Sequence, residues 1–150
     1  MLTGEYRVAI DEKGRISIPI KLKNEFGATN VILTKSTDSR KCLQLLKVED
    51  FQELAKKLID GNKGSFSASH KLLQMRVIAP AQDLQIDKAG RIMIPQSLRN
   101  SVGIELKNEV VVTGMINRLE IWSVKDYEEC IRMADDPEAI EKAASEILVD

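Results

Sequence analysis

One charged, glycine-centred phrase occurs twice in this chain and constrains its fold more than any other feature. Residues 10–27, IDEKGRISIPIKLKNEFG, return at residues 86–103 as IDKAGRIMIPQSLRNSVG, with ten of the 18 paired positions identical. The likeness continues downstream, where LQLLKVEDF at 43–51 matches LEIWSVKDY at 119–127 at the same offset of 76 positions. A similarity of this length does not arise by chance, so the chain is an internal duplication.

Each repeat predicts four short strands and a short helix. In the first copy, EYRVAI alternates its side chains as a strand does, a turn follows at residues 11–14, and RISI predicts a second strand. Pro19 suits the first turn of a helix and Gly27 suits its end. NVILT and CLQLL then predict a hairpin. Because one such unit has too little apolar surface for its own core, we expect both copies to enclose one interior with approximate two-fold symmetry.

The predicted fold class is mainly β with helices around it (α+β), formed by the two repeats as one structural unit. The pattern indicates a first repeat over 1–60, a linker and helix over 61–80, a second repeat over 81–134 and an acidic C-terminal helix over 135–150. Within the connecting helix, the apolar residues Leu72, Leu73 and Met75 are predicted to belong to the core.

The formal net charge of −1 conceals an uneven distribution. Residues 124–150 carry three basic and nine acidic side chains, which leaves 19 basic and 14 acidic side chains over residues 1–123. A mildly basic body therefore precedes an acidic tail. Such a body permits phosphate binding without requiring it, and a solvated helix face is the simplest interpretation of the tail.

Composition and cysteine usage favour a cytoplasmic protein. The chain is 43% hydrophobic and 30% charged, with no long apolar run. Its N-terminal segment places Glu5 and Arg7 where a signal peptide would be apolar. Cys42 and Cys130 are expected to be reduced core residues, and together with the single histidine, His70, they show no metal-ligand spacing. We therefore expect no metal, no cofactor, no small-molecule ligand and no membrane association.

The duplicated turn contains the candidate functional residues. Asp11 and Gly14 in the first copy, like Asp87 and Gly90 in the second, are predicted to form the turn. Aspartate commonly accepts hydrogen bonds from the backbone that follows it, and glycine adopts positive φ without strain. No nucleophile, general base or carboxylate pair occurs at a catalytic spacing, so the sequence predicts a binding protein and not an enzyme.

An arginine follows the turn glycine in both copies. The guanidinium groups of Arg15 and Arg91 are suited to bind phosphate or the major-groove edge of guanine. Other basic residues lie on the turns or on the short helices that follow: Lys13, Lys88, Lys21, Lys23 and Arg99. A second role is equally open, in which each arginine pairs with the aspartate of its own turn and only stabilises it. Duplication favours the first role, because a pair of like charges on a dimer-like scaffold suits a two-fold DNA site.

The residues quoted above resemble those of a known protein family. With GRISIPIKLK and GRIMIPQSLR in the two Asp-x-x-x-Arg phrases, and VVVTGMINRLEIWS in the second copy, the chain resembles the MraZ family of bacterial transcription regulators over essentially its whole length. That family belongs to the AbrB/MazE group of swapped-hairpin DNA-binding folds. The resemblance implies a double-split β-barrel, a ring-like homo-oligomer, and binding to repeated boxes in the promoter of the division and cell-wall gene cluster, usually as a repressor.

The resemblance also implies which residues contact double-stranded DNA. In the family the Asp-x-x-x-Arg turns do so, which corresponds here to Arg15 and Arg91, with Lys13 and Lys88 beside them. The family usually presents two arginines on the short helix after the first turn, where this chain has lysines that keep the charge but cannot form a bidentate contact. The helix residues implied are Lys21, Lys23 and Arg99.

Two other functions remain open beside a sequence-specific regulator acting in the cytoplasm at the nucleoid. A protein-interaction module of the antitoxin type would bind its partner through the acidic tail. A nonspecific nucleoid-associated protein would bind promoter and random DNA equally well. Loss of a protein partner on deletion of residues 136–150 identifies the first, and equal affinity for unrelated DNA identifies the second.

Overall fold

The computed structural model describes residues 1–59 and 67–148, so the first part of the expected linker, 61–66, lies outside the described residues. The strands are β1 (Glu5–Ala9), β2 (Arg15–Ser17), β3 (Asn30–Lys35), β4 (Cys42–Lys47), β5 (Gln82–Gln85), β6 (Arg91–Met93), β7 (Glu109–Met115) and β8 (Arg118–Ser123). The helices are α1 (Ile20–Phe26), α2 (Val48–Ile59), α3 (Ala68–Leu73), α4 (Gln96–Ser101), α5 (Val124–Ala134) and α6 (Pro137–Ile147), and a π-helical turn over Gln74–Ile78 continues α3.

The two repeats exchange strands. Six antiparallel strands form one sheet in the order β1-β7-β8-β4-β3-β5, and β2 pairs with β6 in a separate two-stranded ribbon. β1 of the first repeat pairs with β7 of the second, and β5 of the second repeat pairs with β3 of the first. Each copy therefore supplies the edge strand of the other copy's hairpin. The mainly-β fold with helices, formed by two internal repeats, is confirmed.

The strand register reveals the approximate two-fold axis. Ile16 lies opposite Ile92 in the ribbon, and Gln44 lies opposite Glu120 where β4 meets β8. Both pairs are separated by 76 positions, so each residue faces its own equivalent in the other copy. An axis that relates the repeats must therefore pass near both pairs, through the centre of the ribbon and the centre of the sheet.

One apolar core lies between the ribbon and the six-stranded sheet. Ile16 and Ile92 of the ribbon are 1% and 2% exposed, and they share a cluster with the sheet residues. The sheet contributes Val31, Leu33, Leu43, Leu45, Val110, Val112, Leu119 and Ile121. The short helices add Leu22 and Phe26 from α1 and Leu98 from α4. Neither copy could bury this surface alone, which is why the duplicated chain forms one unit.

Helix ends follow the sequence signals in the first repeat. Pro19 precedes α1, and Gly27 ends it with φ of 66°, a left-handed conformation that glycine adopts without steric cost. Before α3, the side chain of Ser67 accepts a hydrogen bond from the backbone N–H of His70, so the helix begins within the segment expected to be linker.

The connecting helix does not bury the residues expected in the core. Leu72 is 67% exposed and Met75 is 71% exposed, so that prediction is wrong for both, and Leu73 is only half-buried. The chain widens into the π-helical turn at Gln74, which changes which side chains face the sheet. Val77, fully buried, takes the inward position, and its carbonyl accepts a 2.6 Å hydrogen bond from the Thr34 hydroxyl.

The last helix lies on the outside of the fold. α6 begins with Asp136, whose carboxylate accepts a hydrogen bond from the backbone of Ala139, and with Pro137 in its first turn. Its apolar residues remain largely in solvent, since Ile140 is 51% exposed and Ile147 is 76% exposed. Among the described residues, no helix has the length and apolar character needed to span a bilayer.

Candidate nucleic-acid interface

Backbone hydrogen bonds shape the first Asp-x-x-Gly-Arg turn. One carboxylate oxygen of Asp11, Oδ1, accepts from the backbone N–H of Lys13 at 2.9 Å and of Arg15 at 2.8 Å. The backbone of Gly14 donates to the Asp11 carbonyl, and φ of Gly14 is 84°. Most of the turn's hydrogen bonds are thus made by Asp11 and the backbone, and they do not require the arginine side chain.

The second turn repeats this geometry. Asp87 Oδ1 accepts from the backbone N–H of Ala89 and of Arg91, each at 2.9 Å. Gly90, with φ of 80°, donates its N–H to the Asp87 carbonyl. The structure therefore places the predicted turn formers of both copies in equivalent conformations.

Each arginine uses only part of its guanidinium group within the turn. Arg15 Nε donates to Asp11 Oδ2 at 2.8 Å, and Arg91 Nε donates to Asp87 Oδ2 at 3.2 Å. The ion pair offered as an alternative role is therefore present. Within 1–59 and 67–148, however, the terminal amino groups Nη1 and Nη2 of both arginines have no hydrogen-bond partner, and 35% and 40% of the two side chains are exposed. The aspartate thus orients the group while its outer donors stay available.

Both arginines lie on the outward face of the ribbon. Successive side chains of a strand alternate between its faces, and Ile16 and Ile92 point into the core. The neighbours of those isoleucines must point outward, and they are Arg15, Ser17, Arg91 and Met93. Arg15 lies opposite Met93 and Ser17 lies opposite Arg91. The arginines are therefore diagonal neighbours, with Cα atoms roughly 7–8 Å apart.

The helix of each repeat lies against the turn of the other. A Cβ atom at Gly14 would be 3.2 Å from Nε of Arg99, and a Cβ atom at Gly90 would be 3.2 Å from Cδ of Lys23. Arg99 and Lys23 are equivalent positions of α4 and α1. Arg99 Nε also donates to the carbonyl of Ile94 at 3.0 Å. The strand exchange therefore gives each turn a second basic side chain from the other copy.

The remaining predicted residues are exposed. Lys13 and Lys88 lie on the two turns, and Lys21 lies in the first turn of α1. Together the turns, the ribbon and the adjacent helix residues form what we call the arginine face, defined by Arg15, Ser17, Arg91, Met93, Lys23 and Arg99.

Comparison with known proteins places this architecture in a family. A family model described as "MraZ protein, putative antitoxin-like" matches the chain twice, over residues 1–74 and 77–150. The chain belongs to the MraZ family. The proteins named "Transcriptional regulator MraZ" in Treponema denticola and Caldicellulosiruptor saccharolyticus are 34% and 35% identical to it. Those alignments cover 89% and 98% of this chain and 90% and 96% of the relatives.

One solved structure was matched over most of its length. The solution structure of PHS018 from Pyrococcus horikoshii is 12% identical, with a TM-score of 0.36, and the match covers 77% of this chain and 91% of that one. The two matches to the MraZ model, by contrast, correspond to the two copies that exchange strands here.

The turn aspartates of this MraZ-family chain have depressed pKa values. The backbone N–H of Arg15 is the largest cause at Asp11 and lowers its carboxyl pKa from 3.8 to about 2, with the Arg15 guanidinium adding to the effect. At Asp87 the backbone N–H of Arg91 likewise lowers the pKa. Both carboxylates are therefore ionised at neutral pH and orient the arginines.

We expect the first turn to open only in strong acid. A depressed pKa in the folded state means that the stability contributed by ionised Asp11 is complete above the unfolded value and is lost as pH falls through about 2. An NMR titration should give a carboxyl midpoint near 2 for Asp11 and a parallel change in the Arg15 Nε–H resonance. A midpoint at 3.8, the ordinary value, would contradict the hydrogen bonds described for this turn.

A buried ionic network near the two-fold axis was missed by the sequence analysis. Glu120 is 1% exposed and receives two hydrogen bonds from Arg40, Nη1 to Oε1 at 2.9 Å and Nη2 to Oε2 at 2.7 Å. Arg118 adds a third at 3.2 Å, and Arg40 Nε pairs with Asp38. Arg40 also lies over the Trp122 ring at 5.9 Å. This network joins the β3–β4 hairpin of the first copy to β8 of the second.

Ser17 and Met93 were also missed as members of the candidate site. The signal that finds them is the alternation of RISI and RIMI, since residues two positions after each arginine must share its face. The contacts of Arg99 and Lys23 with the opposite turn gave no comparable signal, because they depend on which copy supplies which strand.

Proposed function

We propose that this MraZ-family chain is a DNA-binding transcription regulator that uses the arginine face. The observation that supports this most directly is the pair of outward arginines on one ribbon, each oriented by an aspartate through Nε with both terminal amino groups available. A guanidinium with two free amino groups can donate to O6 and N7 of guanine. The proteins named as transcription regulators that resemble it over most of their length support the same function.

The dimensions of the ribbon suit the major groove. That groove is about 12 Å wide and admits a two-stranded β-ribbon. Arg15 and Arg91, roughly 7–8 Å apart across the ribbon, would contact base pairs in one groove segment. Lys13 and Lys88 on the turns, and Lys21 on α1, would contact phosphates, which supplies affinity without sequence preference. The approximate two-fold axis through Ile16 and Ile92 would then lie close to a local two-fold axis of the DNA backbone.

The finer function extends this proposal. We infer that the chain represses the division and cell-wall gene cluster by binding repeated promoter boxes, as its resemblance to the family implies. A ring-like homo-oligomer would set several arginine faces against successive boxes, so that weak single contacts combine into a high apparent affinity. Such a regulator would act in the cytoplasm, on the nucleoid.

Binding to the DNA upstream of the chain's own gene tests the proposal. We expect fluorescence anisotropy to show tighter binding to that DNA than to a shuffled sequence of the same composition. The affinity should fall steeply as the salt concentration rises. The slope of log K against log salt concentration should be about −0.9 for each phosphate contacted. Equal affinity for natural and shuffled DNA would contradict a sequence-specific regulator and favour a nonspecific nucleoid protein.

A protein-interaction module is the second candidate, and the outside of α6 favours it. Ile140 and Ile147 are exposed on a helix whose charged residues are mainly acidic. If deletion of residues 136–150 removes a protein partner while DNA binding is unchanged, this second function exists beside the first. If the full chain does not bind its upstream DNA at all, the second function replaces the first.

A further inference from the structure

The arginine face is symmetric in its arginines and asymmetric in the residues beside them. Position 17 of the first copy and position 93 of the second are equivalent, yet one is serine and the other methionine. Both point outward, and Met93 is 53% exposed. Each lies opposite the arginine of the other copy: Met93 opposite Arg15, and Ser17 opposite Arg91.

The residues around Arg15 also differ from those around Arg91. At the Arg15 end, the nearby helix residue is Arg99, and the turn carries Lys13. At the Arg91 end, the helix residue is Lys23, and the turn carries Lys88, one position before Ala89, which is the equivalent of Lys13. One end of the face therefore has two guanidinium groups, an ammonium and a thioether, while the other has one guanidinium, two ammonium groups and a hydroxyl. A strictly two-fold DNA site would not match both ends equally.

The chemistry of Met93 fits one feature of the major groove. Thymine is the base that presents an apolar methyl group there, and apolar side chains contact it. Methionine is long, unbranched and adaptable, so its terminal methyl can reach such a group from a strand position. A single exposed apolar side chain is ordinary on a protein surface, but Met93 lies next to both arginines on the face proposed to enter the groove.

We propose that Met93 is a specificity-determining residue that contacts the methyl group of a thymine next to the base bound by Arg15. Ser17 makes no such contact beside Arg91. The chain therefore recognises an asymmetric box and binds it in one orientation. This inference rests on the proposed function, since it assigns a base to the same arginine face.

Replacing single thymines by deoxyuridine in the upstream DNA tests this contact, because deoxyuridine lacks only the methyl group. For the wild-type chain, we expect one position in each box at which the replacement lowers affinity about fourfold, the effect of one buried methyl group. The Met93→Ser variant, which gives the second copy the residue of the first, should bind thymine and deoxyuridine at that position equally. The Met93→Leu variant should retain the preference.

A comparison with the Arg15→Ala variant shows where on the DNA Met93 makes its contact. The sensitive thymine should be adjacent to a guanine whose substitution lowers the affinity of the wild-type chain but not of the Arg15→Ala variant. Since position 93 is exposed, the melting temperatures of wild type, Met93→Ser and Met93→Leu should agree within about 2 °C.

The possible outcomes separate this inference from the proposed function. If the arginine variants bind upstream DNA as tightly as wild type, the proposed function itself is wrong and the inference falls with it. If the arginine variants lose binding but no thymine preference depends on residue 93, the inference alone is overturned. A thymine preference that persists unchanged in Met93→Ser overturns it as well.

Discussion

Replacing both Arg15 and Arg91 by alanine should lower the affinity for the upstream DNA at least about 30-fold, since each good bidentate contact to a base contributes about 1–3 kcal/mol. Each single variant should show an intermediate loss. The residual binding should be insensitive to DNA sequence, because the lysines proposed to contact phosphates remain. Fluorescence anisotropy with natural and shuffled DNA at one salt concentration measures both the loss of affinity and the loss of preference.

The variant is informative because most hydrogen bonds of the turn do not involve the arginine side chain. Asp11 and Asp87 accept two backbone hydrogen bonds each, and these remain when the guanidinium is removed. The double lysine variant should keep the charge and lose the preference, since an ammonium cannot form a bidentate contact. Arg132→Ala is the matched control, an exposed arginine of α5 away from the arginine face. If the double alanine variant binds like this control, the arginines do not contact DNA.

The internal repeat made most of the fold predictable from the sequence. A turn that needs glycine with positive φ, followed by a strand with alternating apolar residues, is a local pattern, and local patterns are visible along the chain. Gly14 and Ile16 in one copy, with Gly90 and Ile92 in the other, therefore predicted both ribbon strands. The two-fold relation followed because neither copy has a sufficient core of its own.

Contacts that depend on the strand exchange could not be predicted in this way. Arg99 lies 76 positions from its equivalent Lys23, and nothing in its neighbourhood indicates that it packs against Gly14 and not against its own turn. Leu72 and Met75 show a related failure. Their helical spacing predicts burial, but Met75 lies within the π-helical turn over Gln74–Ile78, where Val77 takes the inward position.

The two roles considered for the arginines prove compatible. A guanidinium has one Nε–H and two terminal amino groups, and the turn aspartate uses only the first. An arginine oriented in this way loses less conformational entropy when it binds DNA than a free surface arginine would. The ion pair that helps to hold the turn would therefore also prepare the side chain for the proposed binding.

Replacing Arg40 by alanine should lower the free energy of unfolding by about 3 kcal/mol, the lower end of the cost of breaking a buried ion pair. Glu120 is 1% exposed and, among residues 1–59 and 67–148, would keep only Arg118, at 3.2 Å, as an ionic partner. The lower end applies because 28% of the Arg40 side chain is exposed. The midpoint temperature of thermal unfolding should fall by about 6–12 °C for a chain of this length. Asp38→Ala is the control, since removing the exposed partner of Arg40 should cost less than about 1 kcal/mol.

The approximate two-fold axis supplies a second variant that tests the cause. The equivalent of Glu120 in the first copy is Gln44, which is buried at the same axis and donates its amide to the Lys35 carbonyl at 2.9 Å. Glu120→Gln should therefore fit in shape, and it removes the buried charge. In the Arg40→Ala background, Glu120→Gln should recover part of the lost stability, because the desolvated carboxylate causes most of the loss. The alternative cause is the lost packing of Arg40 against Trp122. It is the correct one, and the unpaired charge is not, if the stability lost by the double variant equals the sum of the losses in the two single variants.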